Sequence, residues 1–254
     1  MSTFYDSLTP FYHLIYPDWP TSMRQQGQQL ATLLATEWPG QTRVLDVSCG
    51  IGTQAIGLAL QGYEVTGSDL SPAAVERAKQ EATRYEVSIP FSVGDMQYAH
   101  ACHGTGFDVV ISCDNSLPHL LTDEAVLAAL REMWACISPG GGCVVSLRDY
   151  AQEPRGKNLV KVYGAREELG KRYLLLQVWD WELSGEHYDF SFYVVEEDLT
   201  NRTGQTHILR SRYYALSVAK LSALMREAGF QTVRQVEGDF YQPLLVGTKP
   251  TSAS

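Results

Sequence analysis

The sequence predicts an α/β fold built on a doubly wound, mostly parallel sheet, and three observations carry that prediction. Apolar β-branched runs alternate with helical stretches between Arg43 and Leu147, a glycine turn follows the first run, and an aspartate ends the second. Alternation implies parallel pairing, because each helix must return the chain to the same edge of the sheet before the next strand begins.

The elements follow in order. After a Tyr- and Gln-rich region over residues 1–40, the first strand reads Arg43–Val47 and the next helix Thr53–Leu60. Between them lies Ser48-Cys49-Gly50-Ile51-Gly52, where the two glycines let backbone approach a ligand without an intervening Cβ. The helix opening behind this turn leaves N–H groups facing whatever is placed there. Glu64–Ser68 is the second strand, and Asp69 at its tip lies where a ribose would present two hydroxyls. Ser71 is a natural N-cap with Pro72 at the first helical position, and the helix continues to Arg84. A third strand, Ser88–Val93, ends at Gly94-Asp95-Met96, and a fourth, Phe107–Ser112, ends at Cys113-Asp114-Asn115-Ser116. Helix Asp123–Ile137 stops at Ser138-Pro139-Gly140-Gly141-Gly142, before a fifth strand, Cys143–Leu147, that ends at Arg148-Asp149-Tyr150.

The pattern then changes to three strand-like runs, Tyr173–Leu183, Tyr188–Glu196 and Thr206–Ala215, which read as an inserted antiparallel meander. Helical periodicity returns at Ser217–Glu227 with Gly229 as its stop. Gln231–Val236 and Pro243–Thr248 close the sheet, and the short turn between them makes the last strand antiparallel. The expected division is an N-terminal segment over 1–40 that contributes to the site, a cofactor domain over 41–150 and 216–250, and an inserted lid over 151–215. The tail Pro250–Ser254 is expected to fray.

A length of 254 residues with 44% hydrophobic content suits one large domain with an insertion. The formal charge of −9 repels phosphate backbones and anionic lipid, so neither nucleic acid nor a membrane is an expected partner. No signal-peptide pattern or bilayer-length apolar run is present, and a cytoplasmic location is expected. Five cysteines without a Cys-x-x-Cys pair read as buried free thiols. No metal is expected: His100-x-x-His103 lacks a second pair, and Asp114-Asn115 lacks the third ligand of a magnesium site.

The loop spacing Gly50-x-Gly52-x-x-Ala55 also satisfies the dinucleotide fingerprint, so the turn alone fits a nicotinamide enzyme as well as one using S-adenosylmethionine. Three features favour S-adenosylmethionine. Asp46 lies inside the loop's own strand; Asp95 and Met96 are placed to accept from an adenine amino group and cover its ring; and the strand order ends in an antiparallel pair. No Tyr-x-x-x-Lys follows the loop to support hydride transfer.

With those residues the chain resembles the class I S-adenosylmethionine-dependent methyltransferases over residues 40–150 and 217–248, which implies a Rossmann-like seven-stranded sheet. More narrowly it resembles the glycine and sarcosine N-methyltransferase group. Tyr12-His13-Leu14-Ile15-Tyr16 with Asp18-Trp19 and Arg24, Asn115-Ser116 with His119-Leu120, Arg148-Asp149-Tyr150, Gly156-Lys157-Asn158, Tyr213-Tyr214 and Gly238-Asp239-Phe240 carry that likeness. It implies that Asp46, Cys49, Gly50 and Gly52 form the cofactor loop, that Asp69 holds the ribose, and that Asp95 and Met96 hold the adenine. Leu70 and Cys113 come to the same site, and Arg24 would meet the methionine carboxylate of the cofactor. Asn115, Arg148 and one of Tyr213 or Tyr214 would line an acceptor site, with Tyr16 as a further candidate. The chain departs from the group at Asp189-Phe190-Ser191-Phe192, where a substrate-facing Tyr is usual.

Arg148 stands without the family, because it falls on the edge where open α/β sheets bind ligands. A guanidinium there grips a carboxylate on two prongs, with about 1.5–3 kcal/mol per charge-assisted bond. The competing reading is an Arg paired with Asp149 or another acid. Asn115 reads either as a turn residue or as a ligand, and the aromatic meander either as a lid or as packing for a core or subunit interface. The activity expected is methyl transfer from S-adenosylmethionine to the amine of a small carboxylate-bearing acceptor, leaving S-adenosylhomocysteine. The alternatives are a small-molecule O-methyltransferase and a non-catalytic S-adenosylmethionine-binding protein. The likeness also implies a homo-oligomer.

Overall fold

The computed structural model describes residues 2–251. The expectation of a frayed tail reaches residues 252–254, outside the described residues. The Tyr- and Gln-rich region is helical: α1 (Ser2–Leu8) runs into a 3-10 helix at Thr9–Ile15, and α2 (Trp19–Glu37) follows. Asp18 caps α2 by accepting from the Thr21 N–H, and Met23, Leu30 and Leu34 form its buried stripe. Next come β1 (Arg43–Asp46), α3 (Thr53–Ala59), β2 (Glu64–Asp69), α4 (Pro72–Arg84) and β3 (Phe91–Val93). Ser71 caps α4 as expected, accepting from the Ala74 N–H at 3.1 Å. A short α5 (Ala99–His103), β4 (Phe107–Ser112), α6 (Asp123–Cys136) and β5 (Ile137–Ser146) complete the first half.

The insertion holds β6 (Leu159–Glu168), β7 (Lys171–Trp181), β8 (His187–Asp198) and β9 (Thr203–Tyr214), and then α7 (Val218–Glu227), β10 (Gln231–Val236) and β11 (Leu244–Thr248) close the chain. The large sheet has seven strands in the order β10-β11-β5-β4-β1-β2-β3. β1 pairs in parallel with both β2 and β4, so the strand order reverses beside it, and Asp46 sits opposite Gly67 on one side and Ile111 on the other. That reversal opens a crevice at the carboxyl ends of the strands. β11 runs antiparallel to both β5 and β10, as its short turn requires. On one face α6 and α7 bury Leu130, Met133, Leu221 and Phe230, and on the other α2 and α3 bury Leu30, Leu34 and Leu58. A further core under the meander joins Trp179, Tyr188 and Phe192 to Phe4 and Leu8 of the N-terminal helix. No helix among the described residues is long and apolar enough to cross a membrane.

Four local expectations need correction. β3 starts at Phe91 rather than Ser88, because Pro90 has no N–H to donate and contributes only its carbonyl to Gly67. α6 ends one residue early, at Cys136. The glycine run is not a turn after that helix but part of β5, where a Cβ at Gly141 would overlap the Asp108 carbonyl and one at Gly142 the Trp38 ring. The meander has four strands, not three, since β6 pairs with β7 from Leu159 opposite Trp179 to Glu168 opposite Lys171. β6 is an edge strand with Val160 and Val162 exposed and a register shift next to Gly164, so it lacks an apolar-in, polar-out signature.

α2 and α3 cross at Gly27 and Gly57, where a Cβ on either residue would overlap the other's backbone. Ala for Gly inside a helix usually stabilises by up to about 1 kcal/mol. At this crossing the sign reverses: Gly57→Ala is expected to destabilise by about 1–3 kcal/mol through overpacking. Thermal denaturation checks this, and an unchanged or raised Tm would contradict the helix contact.

Candidate active site

Two cavities open at the carboxyl ends of the strands. The first, about 580 Å³ of space partly open to solvent, is walled by Val47 and Ser48 after β1, Asp69 to Ser71 at the end of β2, Gly94 to Met96 after β3, and Ser116, His119 and Leu120 after β4. Tyr5 and Tyr12 close it from the N-terminal segment. Asp69 is held from two sides: Oδ2 accepts from the Gly50 N–H at 2.8 Å and Oδ1 from the Ser71 N–H at 2.9 Å. Burial pushes its carboxyl above the ordinary carboxylate range, against those two backbone donors. Each oxygen keeps lone-pair capacity for a further donor.

The loop itself needs both glycines. Gly50 has φ +53°, and a Cβ there would come to 3.2 Å from the Tyr12 ring. Gly52 has φ +93°, and a Cβ there would press on Ile56 at 2.8 Å. Asp46 lies fully buried behind Ser48, whose N–H it accepts at 3.1 Å through Oδ1, while Oδ2 has no hydrogen-bond partner among the described residues. Burial pushes its carboxyl up to about 7. A cavity with one carboxylate at the tip of β2 and a second with a thioether after β3, backed by a buried carboxylate at the end of β1, suits a nucleoside that carries cationic and donor groups. These residues fit S-adenosylmethionine.

The second cavity, about 520 Å³, lies between the ends of β4 and β5 and the concave side of the meander. Asp114, Asn115 and Arg148 line it from the large sheet, Tyr163, Gln177, Phe190, Phe192 and Tyr213 from the insertion, and Gln242 from the last turn. Tyr5 and Tyr12 line this cavity too, so the N-terminal segment is a wall common to both.

Arg148 donates from Nη1 to Glu153 Oε1 at 3.2 Å and lies 4.7 Å over the Trp179 ring, while its buried Nε has no hydrogen-bond partner among the described residues. Both readings of it hold: it is paired with an acid, Glu153 rather than Asp149, and it still offers donors to the cavity. Glu153 also accepts from Lys161 at 2.6 Å, and its carboxyl is held below the ordinary range by these cations, against its partial burial. Asn115 is a brace: Oδ1 accepts from the Arg148 N–H at 2.9 Å, and Nδ2 donates to the Tyr150 hydroxyl at 2.8 Å. Its amide ties the end of β4 to the end of β5.

Several expected site residues sit elsewhere. Consecutive strand residues face opposite sides, so only one of the Tyr pair can reach the cavity, and it is Tyr213. Tyr214 points into the α6 and α7 layer, donating to Asp123 at 2.5 Å. Arg24 is not among the residues walling either cavity: it stacks over Tyr85 at 5.2 Å and donates to the Pro20 carbonyl at 3.5 Å. Cys49 and Cys113 are buried behind the cavity walls, Cys49 joining the loop to β2 through its N–H on the Ser68 carbonyl. Tyr16 reaches the second cavity only through Asp114, to which it donates at 3.1 Å. Leu70, Asp95 and Met96 wall the first cavity.

Sequence reasoning missed Tyr5, Tyr12, His119, Asp114, Tyr163, Gln177 and Gln242 as site residues. The Tyr5 hydroxyl meets buried His119 Nε2 at 2.7 Å, and the His119 ring lies 4.0 Å from that of Tyr213. Burial lowers this imidazole to about 3, which keeps it neutral at physiological pH. His119 and Tyr12 belong to the motifs that carry the family likeness, so a signal for them was present. Tyr163 sits on the unread strand β6, and no signal pointed to it.

Residues 44–141 match the family model described as a methyltransferase domain. The glycine/sarcosine N-methyltransferase of Parasynechococcus marenigrum is 27% identical over 224 residues, covering 88% of this chain and 74% of that protein. Among solved structures, the S-adenosylmethionine-bound amino pentose methyltransferase CalS10 of Micromonospora echinaspora superposes with a TM-score of 0.76 at 21% identity, covering 90% of this chain and 92% of that one. The sugar N-methyltransferase KedS8 of a Streptoalloteichus species gives 0.78 at 19% identity, over 94% and 92%. At those identities the structural likeness speaks for the fold alone, and it is the fold described above. Residues 44–141 match a methyltransferase domain, and together with the similarity to the glycine/sarcosine enzyme this supports a class I S-adenosylmethionine-dependent methyltransferase.

Proposed function

We propose that the protein methylates the amine nitrogen of a small acceptor that carries a carboxylate. The observation that carries this reading is Arg148, a guanidinium with an unpartnered buried Nε in a cavity that shares its Tyr5 and Tyr12 wall with the nucleoside cavity. The glycine/sarcosine acceptor named for the Parasynechococcus relative supports the same class. S-adenosylmethionine, when bound, supplies an electrophilic methyl on a sulfonium. The protein's share is placement, and holding two reactants at near-attack distance offsets about 7–11 kcal/mol of barrier.

Each residue has a part in that placement. Arg148 orients the acceptor by its carboxylate, and Asn115 fixes Arg148 by taking its backbone N–H. Trp179 beneath the guanidinium keeps it from swinging away, at 4.7 Å. Tyr163, Phe190, Phe192 and Tyr213 wall off water and present ring faces to the cationic ends of both ligands. Asp69 receives the ribose hydroxyls and Asp95 the adenine amino group.

The reading is tested by screening amines, amino acids, phenols and thiols for S-adenosylhomocysteine release. Turnover confined to phenols or thiols would favour the O-methyl alternative and sink the amine reading. Arg148→Leu is expected to raise acceptor KM about 10- to 100-fold, the worth of one charge-assisted bond, with cofactor Kd nearly unchanged. Asp69→Ala is expected to weaken S-adenosylhomocysteine binding about 100-fold or more by calorimetry, through loss of two bonds to a charged group. Unaltered affinity in that variant would remove the cofactor assignment.

Asp46 gives a pH dependence. Its folded carboxyl lies near 7, above the ordinary value of about 4, so the folded state holds the proton more tightly than the unfolded chain. The stability this confers is complete below about pH 4 and is lost as pH rises towards 7. Thermal melts of Asp46→Asn should therefore shift in the variant's favour relative to wild type between pH 5 and pH 8; a pH-independent difference would contradict the buried carboxyl.

A further inference from the structure

Asp114 and Asn115 stand side by side with φ +58° and +62°, the left-handed region that residues with a Cβ seldom enter. β5 pins both: the Asp114 N–H donates to Ser146 Oγ at 2.8 Å and the Asn115 N–H to the Ser146 carbonyl at 3.2 Å. The double turn sends the two side chains apart. Asn115 goes back to Arg148 and Tyr150, and Asp114 goes into the second cavity.

The Asp114 carboxylate is hydrogen-bonded by phenols there, and the Arg148 charge acts on it from beyond ion-pair distance. Tyr16 donates to it at 3.1 Å, and the Tyr12 and Tyr241 hydroxyls also face it. The cations of the region are already engaged, Arg148 and Lys161 both resting on Glu153. The cavity region thus holds two acids and two cations, but one acid has no ionic partner within 4 Å among the described residues. A ligand with one positive and one negative end leaves that balance intact, whereas either charge alone disturbs it in a place poor in water.

From this we infer that Asp114 is the acceptor's amine anchor, so that the site reads a zwitterion, ammonium end at Asp114 and carboxylate end at Arg148. The inference rests on the second cavity being the acceptor site. It makes Asp114 a specificity-determining residue that separates amino-acid-like acceptors from neutral alcohols and from carboxylates without an amine.

Two variants test it in protein saturated with S-adenosylhomocysteine. Asp114→Asn keeps the size and a side chain tolerant of the left-handed backbone, and Asp114→Gly removes the side chain where φ +58° suits glycine. Glycine, acetate and methylammonium are the probes, followed by calorimetry or ligand-observed NMR. Wild type should bind glycine more tightly than either half. Both variants should weaken glycine about 10- to 100-fold and abolish methylammonium binding, while acetate and S-adenosylhomocysteine stay within about twofold. Asp114→Gly should melt no lower than wild type, which separates lost recognition from lost folding.

The inference is overturned if either variant holds glycine as tightly as wild type, if acetate weakens as much as glycine, or if wild type binds neither amine probe. Failure of the amine-methylation reading looks different. Wild type would then bind methylammonium through Asp114 yet release S-adenosylhomocysteine with no amine in the screen, and the anchor would stand while the reaction assigned to it fell.

Discussion

The carboxylate of Asp69 is the joint on which both cavities hang. It takes the glycine loop by the Gly50 N–H and the start of α4 by the Ser71 N–H, closing the gap between the first and second strand-to-helix turns. Ser71 then donates its hydroxyl to Asp6 at 2.5 Å, which ties down α1. α1 carries Tyr5 to His119, and His119 lies against Tyr213 of the meander. A single path of short contacts therefore runs from the loop through the N-terminal helix to the insertion. Each link is made by a polar group that would be costly to bury alone.

Three carboxylates, Asp46, Asp69 and Asp114, sit at or beyond the carboxyl ends of β1, β2 and β4, and burial raises all three. Carboxylates gathered in a low-dielectric crevice favour positive ligand groups, such as the sulfonium of S-adenosylmethionine and the ammonium form in which an amine arrives before it gives up a proton and attacks. The cost is limited by backbone donors at Asp46 and Asp69 and by hydroxyls at Asp114. Arg148 is the counterpart, and its pairing with Glu153 keeps a half-buried guanidinium from standing alone in the second cavity.

The large sheet was legible because its information is local. Ser71-Pro72 starts a helix wherever it stands, and Asp69 ends a strand whose apolar residues alternate with helical stretches on either side. Legibility failed where a residue's meaning depends on a distant neighbour. Gly141 and Gly142 read as a turn, since nothing near them in sequence announces the Asp108 carbonyl and Trp38 ring that exclude a side chain. Tyr213 and Tyr214 were indistinguishable because strand parity is set by the pairing of β9 with β8, Tyr213 opposite Tyr188. Arg24 came by analogy, and in the fold its guanidinium lies over Tyr85, a residue of the α4 end. The second cavity was hidden most, since it is assembled from an edge strand, a double left-handed turn and the N-terminal helices.

The shared wall has a thermodynamic consequence. Tyr5 and Tyr12 belong to one short segment, strapped to α4 through Asp6, to the β4 end through His119, and to the meander through His13 on Glu168 and Arg166 on the Tyr16 carbonyl. A ligand in either cavity presses on that segment, and any shift it causes changes the shape of the other cavity. Coupling of this kind is reciprocal by linkage, so whatever favour a ligand in one cavity does a ligand in the other is returned in equal measure. The fold puts the two cavities on either side of two tyrosines rather than in separate compartments, so a shift of that segment that reshapes one reshapes the other.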